Sequence, residues 1–378
     1  MPFKGMSIME QRARFVAAAR MEGANIRALC REHGISPTTG YKWLEREASG
    51  AGLADRSCRP HRSPGVTPAA IEWQVVELRA AHPTWGGRKI HHALRRRGVT
   101  PLPHTSTVNG ILHRHGLIAA QETIRHRPFT RFERATANEL WQIDFKGHFA
   151  VGSGRCHPLT LIDDHSRYAV ALVACANERR AGVEAALRAA FERYGLPEAM
   201  LMDNGPPWGT ESRHRHTRLT AWLMRLGVAP CHGRPFHPQT RGKNERFNGT
   251  LKRDVVARYR FADLAEAQRC FDAWRALYNH ERPHQAIGDE PPASRFCHSP
   301  RPFPAALPEI VYPGDCLVRQ VQQDGRISFM RRDVFVSGAF AGLPVGLRAA
   351  DRDGVFDILF CTYRVGRLDL ACEVETQA

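Results

Sequence analysis

Between Trp141 and Lys146 the chain alternates: Trp141, Ile143 and Phe145 point to one side, and Gln142, Asp144 and Lys146 to the other, the two-residue period of a strand. The apolar run 199–202 stops at Asp203-Asn-Gly-Pro-Pro, so a second strand ends there and the chain turns. From Lys243 to Val256 the period changes. Phe247, Leu251 and Val255 recur every four residues, as on one face of a helix, while Glu245, Asn248 and Lys252 share a polar stripe. The same reading places strands at about 141–149, 158–163, 168–174 and 228–232, and helices at about 179–194, 217–226 and 264–279. A run of strands followed by alternating elements predicts a mixed sheet flanked by helices.

Upstream, two helix-turn-helix units are expected. In the first, a helix over 26–33 ends at Gly34, Ser36 is an N-cap, Pro37 takes the first helical position and a second helix covers 38–46. That is the spacing of a recognition helix after a short turn, with Thr38, Thr39, Lys42 and Arg46 facing DNA and Tyr41 and Leu44 packing inward. The theme repeats at 87–97, breaks at Gly98 and resumes at about 106–115, offering Arg95, Arg96 and Arg97 to phosphates, then Thr107, Asn109 and Arg114. Segments 54–68 and 121–138 are basic and lack apolar periodicity, as linkers do. Beyond a Pro-rich boundary at 300–308, six short strands between 316 and 365, separated by Gly and Asp turns, predict a small β-barrel.

Charge adds a direction to this plan. The chain holds 54 Lys and Arg against 38 Asp and Glu, but residues 1–137 alone hold 22 against 10, which leaves a surplus of only 4 for the other 241. The amino-terminal third is therefore the expected footprint for phosphate. The 10 cysteines are scattered from Cys30 to Cys372 without a Cys-x-x-Cys pair, which argues against a zinc finger and a disulfide framework and suits a reducing cytoplasm. With no signal peptide and no apolar run near the ~20 residues of a membrane helix, no membrane partner is expected.

Asp144, Asp203 and Glu245, carried by two strands and a helix, have the chemistry to converge on a pair of Mg²⁺ ions about 3.5–4 Å apart, the arrangement that clamps attacking and leaving oxygens in phosphodiester chemistry. Singly each has a plainer reading, since Asp-Asn-Gly is a turn signal and a helical Glu is usually solvated. Their neighbours change the weight: Leu-Ile-Asp-Asp-His-Ser-Arg at 161–167, His-Pro-Gln-Thr at 237–240 and Tyr-Asn-His-Glu-Arg-Pro-His at 278–284. In this order and spacing the set resembles the integrase-type (DDE, retroviral-integrase-like) catalytic core of insertion-sequence transposases. The resemblance extends upstream through Met-Glu-Gln-Arg at 9–12, Tyr-Lys-Trp-Leu at 41–44 and Gly-Leu-Ala-Asp-Arg-Ser at 52–57.

The resemblance implies a multidomain α/β protein with tandem helix-turn-helix domains, a ribonuclease-H-like core and a small carboxy-terminal β-barrel like that of integrases. The domains would be 1–50 and 71–120 (helix-turn-helix), 51–70 and 121–138 (basic linkers), 139–300 (catalytic core) and 309–370 (barrel). It also implies that Asp144, Asp203 and Glu245 bind two Mg²⁺ ions, with Mn²⁺ as a substitute, and that the amino-terminal units bind the inverted-repeat ends of an element. Hydrolysis there frees a 3′-hydroxyl that attacks target DNA in line, without a covalent protein–DNA intermediate. A homo-oligomer on double-stranded DNA, cytoplasmic and nucleoid-associated, follows from the need to join two ends. Lys252, Asn248 and Arg241 are expected near phosphate, whereas His237 is read as packing in its turn and Asp163 and Asp164 as structural. One departure is the 41 residues between Asp203 and Glu245, more than in the best-known members of the wider superfamily, read as a longer loop around 209–216. The alternatives are a ribonuclease-H-like nuclease that never joins strands and a non-catalytic regulator derived from a transposase.

Overall fold

The computed structural model describes residues 6–58, 65–118, 133–152, 154–209, 216–232 and 242–371. Most of the second linker, most of the loop around 209–216, and His237 and Arg241 lie outside them. The chain forms two compact units, 1–66 and 67–378.

The first unit holds α1 (Ile8–Ala19), α2 (Ile26–Glu32) and α3 (Pro37–Ala48). Ser36 caps α3, its hydroxyl accepting from the Thr39 amide at 3.2 Å, and Pro37 opens the helix as its spacing predicts. Phe15, Val16, Cys30 and Trp43 form the core. Gly40 lets α3 approach it, since a Cβ there would lie 2.5 Å from Cys30 Sγ and 2.9 Å from the Phe15 ring. α1, which the hydrophobic pattern does not predict, has only a faint apolar stripe: Phe15 and Val16 are buried, but Ile8 and Met9 are exposed.

The second unit opens with α4 (Ala69–Ala81), α5 (Gly87–Arg96) and α6 (Thr105–Arg114), packed around Val75, Leu78, Trp85, Ile90, Leu94, Val108, Ile111 and Leu112. The latter two helices match the second expected pair; α4 was not anticipated, and it starts inside the segment read as linker. There follows a mixed sheet of β1 (Leu140–Phe145), β2 (Phe149–Val151), β3 (Gly154–Asp163), β4 (Ala169–Cys175), β5 (Ala199–Met202) and β6 (Ala229–His232). β4, β3 and β1 pair antiparallel, β1, β5 and β6 pair parallel, and β2 pairs the start of β3. One face packs α7 (Arg180–Tyr194) and α8 (Arg218–Arg225) against Trp141, Ile143, Met200 and Met202. The other face packs α9 (Gly242–Leu251) and α10 (Leu264–His280) against Ile162, Ala169 and Leu172. α10 also closes the free edge of β4: Gln268 bonds the Ala174 amide and the Leu172 carbonyl, Arg275 the Val170 carbonyl, and Asn279 both backbone groups of Ala169.

The carboxy-terminal strands are β7 (Cys316–Gln320), β8 (Arg326–Phe329), β9 (Arg332–Phe335), β10 (Pro344–Ala349), β11 (Val355–Phe360) and β12 (Tyr363–Asp369), close to where the alternation predicts them. They do not close into the expected barrel. Among the described residues they form an open four-stranded sheet, β12-β11-β10-β7, and a separate β8-β9 hairpin. The hairpin places Ile327, Phe329 and Val334 in one core with Val345, Leu347, Ile358 and Phe360, so apolar surface is buried by layering two sheets.

Candidate active site

Parallel pairing sets the first two carboxylates. Gln142 of β1 lies opposite Leu201 of β5; two residues on come Asp144, within β1, and Asp203, directly after β5. They occupy equivalent places at the carboxyl ends of adjacent parallel strands, where an open α/β sheet presents its ligand crevice. Trp141 and Ile143 on one strand, and Met200 and Met202 on the other, are fixed in the core beneath. On the opposite wall, Phe247 and Leu251 bury one side of α9 and leave Glu245 exposed on another. Asp144, Asp203 and Glu245 line one pocket with Gln142, Ile143, Leu201, Met202 and Asn244.

Hydrogen bonds orient these side chains. Asn248 Nδ2 donates to Asp144 Oδ2 at 3.1 Å, one turn along α9 from Glu245, and Thr160 Oγ1 donates to the Asp144 carbonyl at 3.0 Å. The Asn204 amide donates to Asp203 Oδ1 at 2.6 Å, and the His232 ring nitrogen meets the Asp203 carbonyl at 3.0 Å. Burial, then the charge of Lys252, lowers the pKa of the Lys146 ammonium at the end of β1.

The donor set suits a divalent cation: three carboxylates, all hard oxygen. Gln142 Oε1, Asn244 Oδ1 and Asn248 Oδ1 are buried with no hydrogen-bond partner among the described residues. Such orphaned acceptors are rare in interiors, and water carried by a hydrated cation would satisfy them. Among the described residues, no three acidic, His or Cys side chains are gathered as a ready-made metal cluster.

The expected DNA-facing residues divide. On α3, Thr38 and Lys42 are exposed, while Thr39 is half-buried with its hydroxyl 2.9 Å from that of Ser36. Arg46 turns inward, donating to the Ala54 carbonyl at 3.2 Å with its guanidinium 5.0 Å from the Trp43 ring. Tyr41, expected inside, is 53% exposed. Trp43 takes the inner position, and Thr38, Tyr41, Lys42 and Glu45 form the outer stripe. On α5, Arg95 reaches His92 at 3.1 Å and Glu290 at 3.5 Å, and Arg96 donates to the His280 carbonyl at 3.3 Å, so Arg95 points toward the segment after α10 and Arg96 toward the last residue of α10. On α6, Thr107 and Asn109 are exposed and Arg114 pairs with Glu72 at 3.0 Å. Lys252 is exposed where α9 passes into a π turn, Lys252–Val256. Gln142 and Asn244, absent from the expected site residues, also line the pocket; the first shares the strand face of Asp144, a signal the two-residue period carries.

Family models place these elements in known company. An integrase core domain matches residues 134–238, and a second integrase core model matches 226–292. A helix-turn-helix domain matches 11–62, a homeodomain-like domain 39–112, and the C-terminal domain of IS481 family transposases 316–376. The chain is 28% identical over 249 residues to the insertion element IS476 uncharacterized 39.2 kDa protein of Xanthomonas euvesicatoria, covering 64% of this chain and 69% of that one. It is 33% identical over 148 residues to the insertion element IS136 uncharacterized protein Atu4601 of Agrobacterium fabrum, covering 37% of this chain and 73% of that one. Among solved structures, a chain of the simian T-cell lymphotropic virus intasome aligns with a TM-score of 0.38 at 17% identity, over 75% of this chain and 91% of that one. A mixed sheet with an integrase core, preceded by DNA-binding helices and shared with insertion-element relatives, places this chain in the family of insertion-sequence transposases with a retroviral-integrase-like core, DNA-acting enzymes of the transposase/integrase class.

Proposed function

We propose that the protein binds the inverted-repeat ends of its element, cleaves the phosphodiester at each end and transfers the freed strand to target DNA, using Asp144, Asp203 and Glu245 as one catalytic group. The observation that carries this reading is the shared pocket: Asp144 near the end of β1 and Asp203 directly after the adjacent parallel strand β5, with Glu245 on the facing wall. When bound there, a pair of Mg²⁺ ions (or Mn²⁺) supplies Lewis-acid stabilisation of the attacking and leaving oxygens. The residues of this chain do the rest. Asn248 holds the Asp144 carboxylate in orientation, the Asn204 amide holds that of Asp203, and Phe247 and Leu251 seat α9 so that Glu245 faces the aspartates. Lys252, exposed one turn and more beyond Glu245, is placed to meet a phosphate of the bound strand.

Recognition is assigned to the outer stripe of α3, with Thr38 and Lys42 the retained contacts, and to Thr107 and Asn109 on α6. The domains are proposed as 1–50 and 69–120 (helix-turn-helix, the second including α4), 51–68 and 121–138 (linkers), 139–300 (catalytic core) and 309–370, the last built of two layered sheets in place of a barrel. Joining two ends in one event calls for at least two copies of the chain on DNA, a nucleoid-associated assembly. Among the described residues no helix is long and apolar enough to cross a membrane.

The test uses labelled duplexes carrying the DNA that flanks the gene, incubated with the full chain and Mg²⁺. Nicked ends and joined products support the reading. Nicking without joining favours a nuclease, and tight binding without cleavage a regulator.

A further inference from the structure

One buried carboxylate outside the three stands between the two walls of the pocket. Asp164 directly follows β3, and 2% of it is exposed. Its Oδ1 accepts from Gln142 Nε2 at 2.7 Å, and its Oδ2 lies 2.5 Å from Lys243 Nζ and 2.9 Å from the Arg134 amide. The Asp164 carbonyl accepts from the same ammonium at 3.2 Å, and its amide donates to the Leu140 carbonyl at 2.9 Å, tying it to the start of β1. Gln142 is two residues before Asp144 on the same strand face, and Lys243 is two residues before Glu245 in the first turn of α9. Asp164 therefore links the strand that carries one carboxylate to the helix that carries another.

The neighbouring acid does something else. Asp163 is fully buried and closes its own turn, accepting from the Ser166 hydroxyl at 2.5 Å, the Ser166 amide at 2.7 Å and the Asn138 amide at 2.8 Å. Asp164 instead joins elements separated by 22 residues on one side and 79 on the other. Where charges are screened little, an ion pair with additional hydrogen bonds to the carboxylate holds its partners in one geometry.

We propose that Asp164 is a positioning residue: through Gln142 and Lys243 it sets the separation of Asp144 and Glu245, and so the divalent-cation concentration at which the site fills. This rests on the reading of Asp144, Asp203 and Glu245 as ligands. The experiment follows thermal unfolding of the full chain, stripped with EDTA, against Mn²⁺ concentration. The melting temperature of the wild type is expected to rise with Mn²⁺ to a plateau. Asp164→Asn and Lys243→Met should unfold cooperatively but need about tenfold more Mn²⁺ for half the rise, the usual effect of losing a group that orients a ligand. The double variant should be no worse than the weaker single one, because both remove the same link. Lys243→Arg should keep a half-point near the wild type.

A wild-type half-point in Asp164→Asn or Lys243→Met, with only the metal-free melting temperature lowered, overturns the proposal and leaves the pair a plain stability element. If Asp164→Asn does not fold, Lys243→Met decides alone. Glu245→Gln separates the two levels. Loss of the Mn²⁺ response in that variant upholds the ligand reading whatever Asp164 does, whereas an unchanged response refutes the ligand reading itself.

Discussion

Asn248 reaches from α9 to the Asp144 carboxylate at 3.1 Å, so a helix residue governs how a strand residue points. Asn248→Ala removes this hydrogen bond to the carboxylate, and the cleavage rate should fall about 10–100-fold with end binding unchanged, measured by single-turnover cleavage beside a filter-binding control. On α3, Lys42→Ala should reduce the slope of log affinity against log salt by about 1, as loss of a phosphate contact does. Tyr41→Ala should leave that slope unchanged yet cost on the order of tenfold in affinity for the element end over random DNA, because an exposed aromatic contributes through base edges. An end-to-random affinity ratio in Tyr41→Ala equal to that of the wild type would remove it from recognition. Asp144, Asp203 and Glu245 were legible because each sits in a local pattern of strand, turn or helix. Asp164 was not, since its function depends on side chains 22 and 79 residues away. Tyr41 lies outside because Gly40 is the residue packed onto Cys30 and Phe15, and the positions that share its face are Trp43 and Leu44, three and four residues on.

The helix carrying Glu245 does not end cleanly. It runs into one π turn, which brings Asp254 to Arg282 at 2.7 Å and to the Trp274 indole at 3.2 Å, tying the helix to α10. Both ion-pair side chains are buried, at 8% and 4% exposure, so removing one strands the other. Arg282→Met should cost about 3–5 kcal/mol of stability in urea unfolding, and Asp254→Leu combined with Arg282→Met should restore most of it. A loss under 1 kcal/mol in the single variant would mean that the pair is solvated. The four-residue period predicted this segment as one regular helix, since Phe247, Leu251 and Val255 stay in phase across the change. The strand pattern served equally well in the carboxy-terminal region, but alternation specifies which side of a strand is buried and not whether the edges meet. The expected closure gave way to two layered sheets. α1 and α4 were missed for the opposite reason, because the stripe on a short helix facing a small core is too thin to stand out.

Across the molecule, basic charge concentrates in the first 137 residues, which hold 22 Lys and Arg against 10 Asp and Glu. Part of that charge is used internally: Arg88 pairs with Asp289 at 2.7 Å, and Arg95 and Arg96 engage Glu290 and the His280 carbonyl. The charge free for phosphate is thus smaller than the composition suggests, yet affinity for end DNA should still fall by about 10³ between 50 and 200 mM salt in a fluorescence-anisotropy titration. A change below tenfold would mean that most of the basic side chains stay paired within the protein. What the composition conveyed was the class of partner, and what it could not convey was which arginines the fold spends on itself. The central claim is that Asp144, Asp203 and Glu245 form one chemical unit, and it is tested most directly by the single-turnover rate of strand joining in Mg²⁺ for Asp144→Asn, Asp203→Asn, Glu245→Gln and the triple variant. Each single variant should lose nearly as much rate as the triple, because groups that act together fail together. A single variant that still joins strands near the wild-type rate would contradict it.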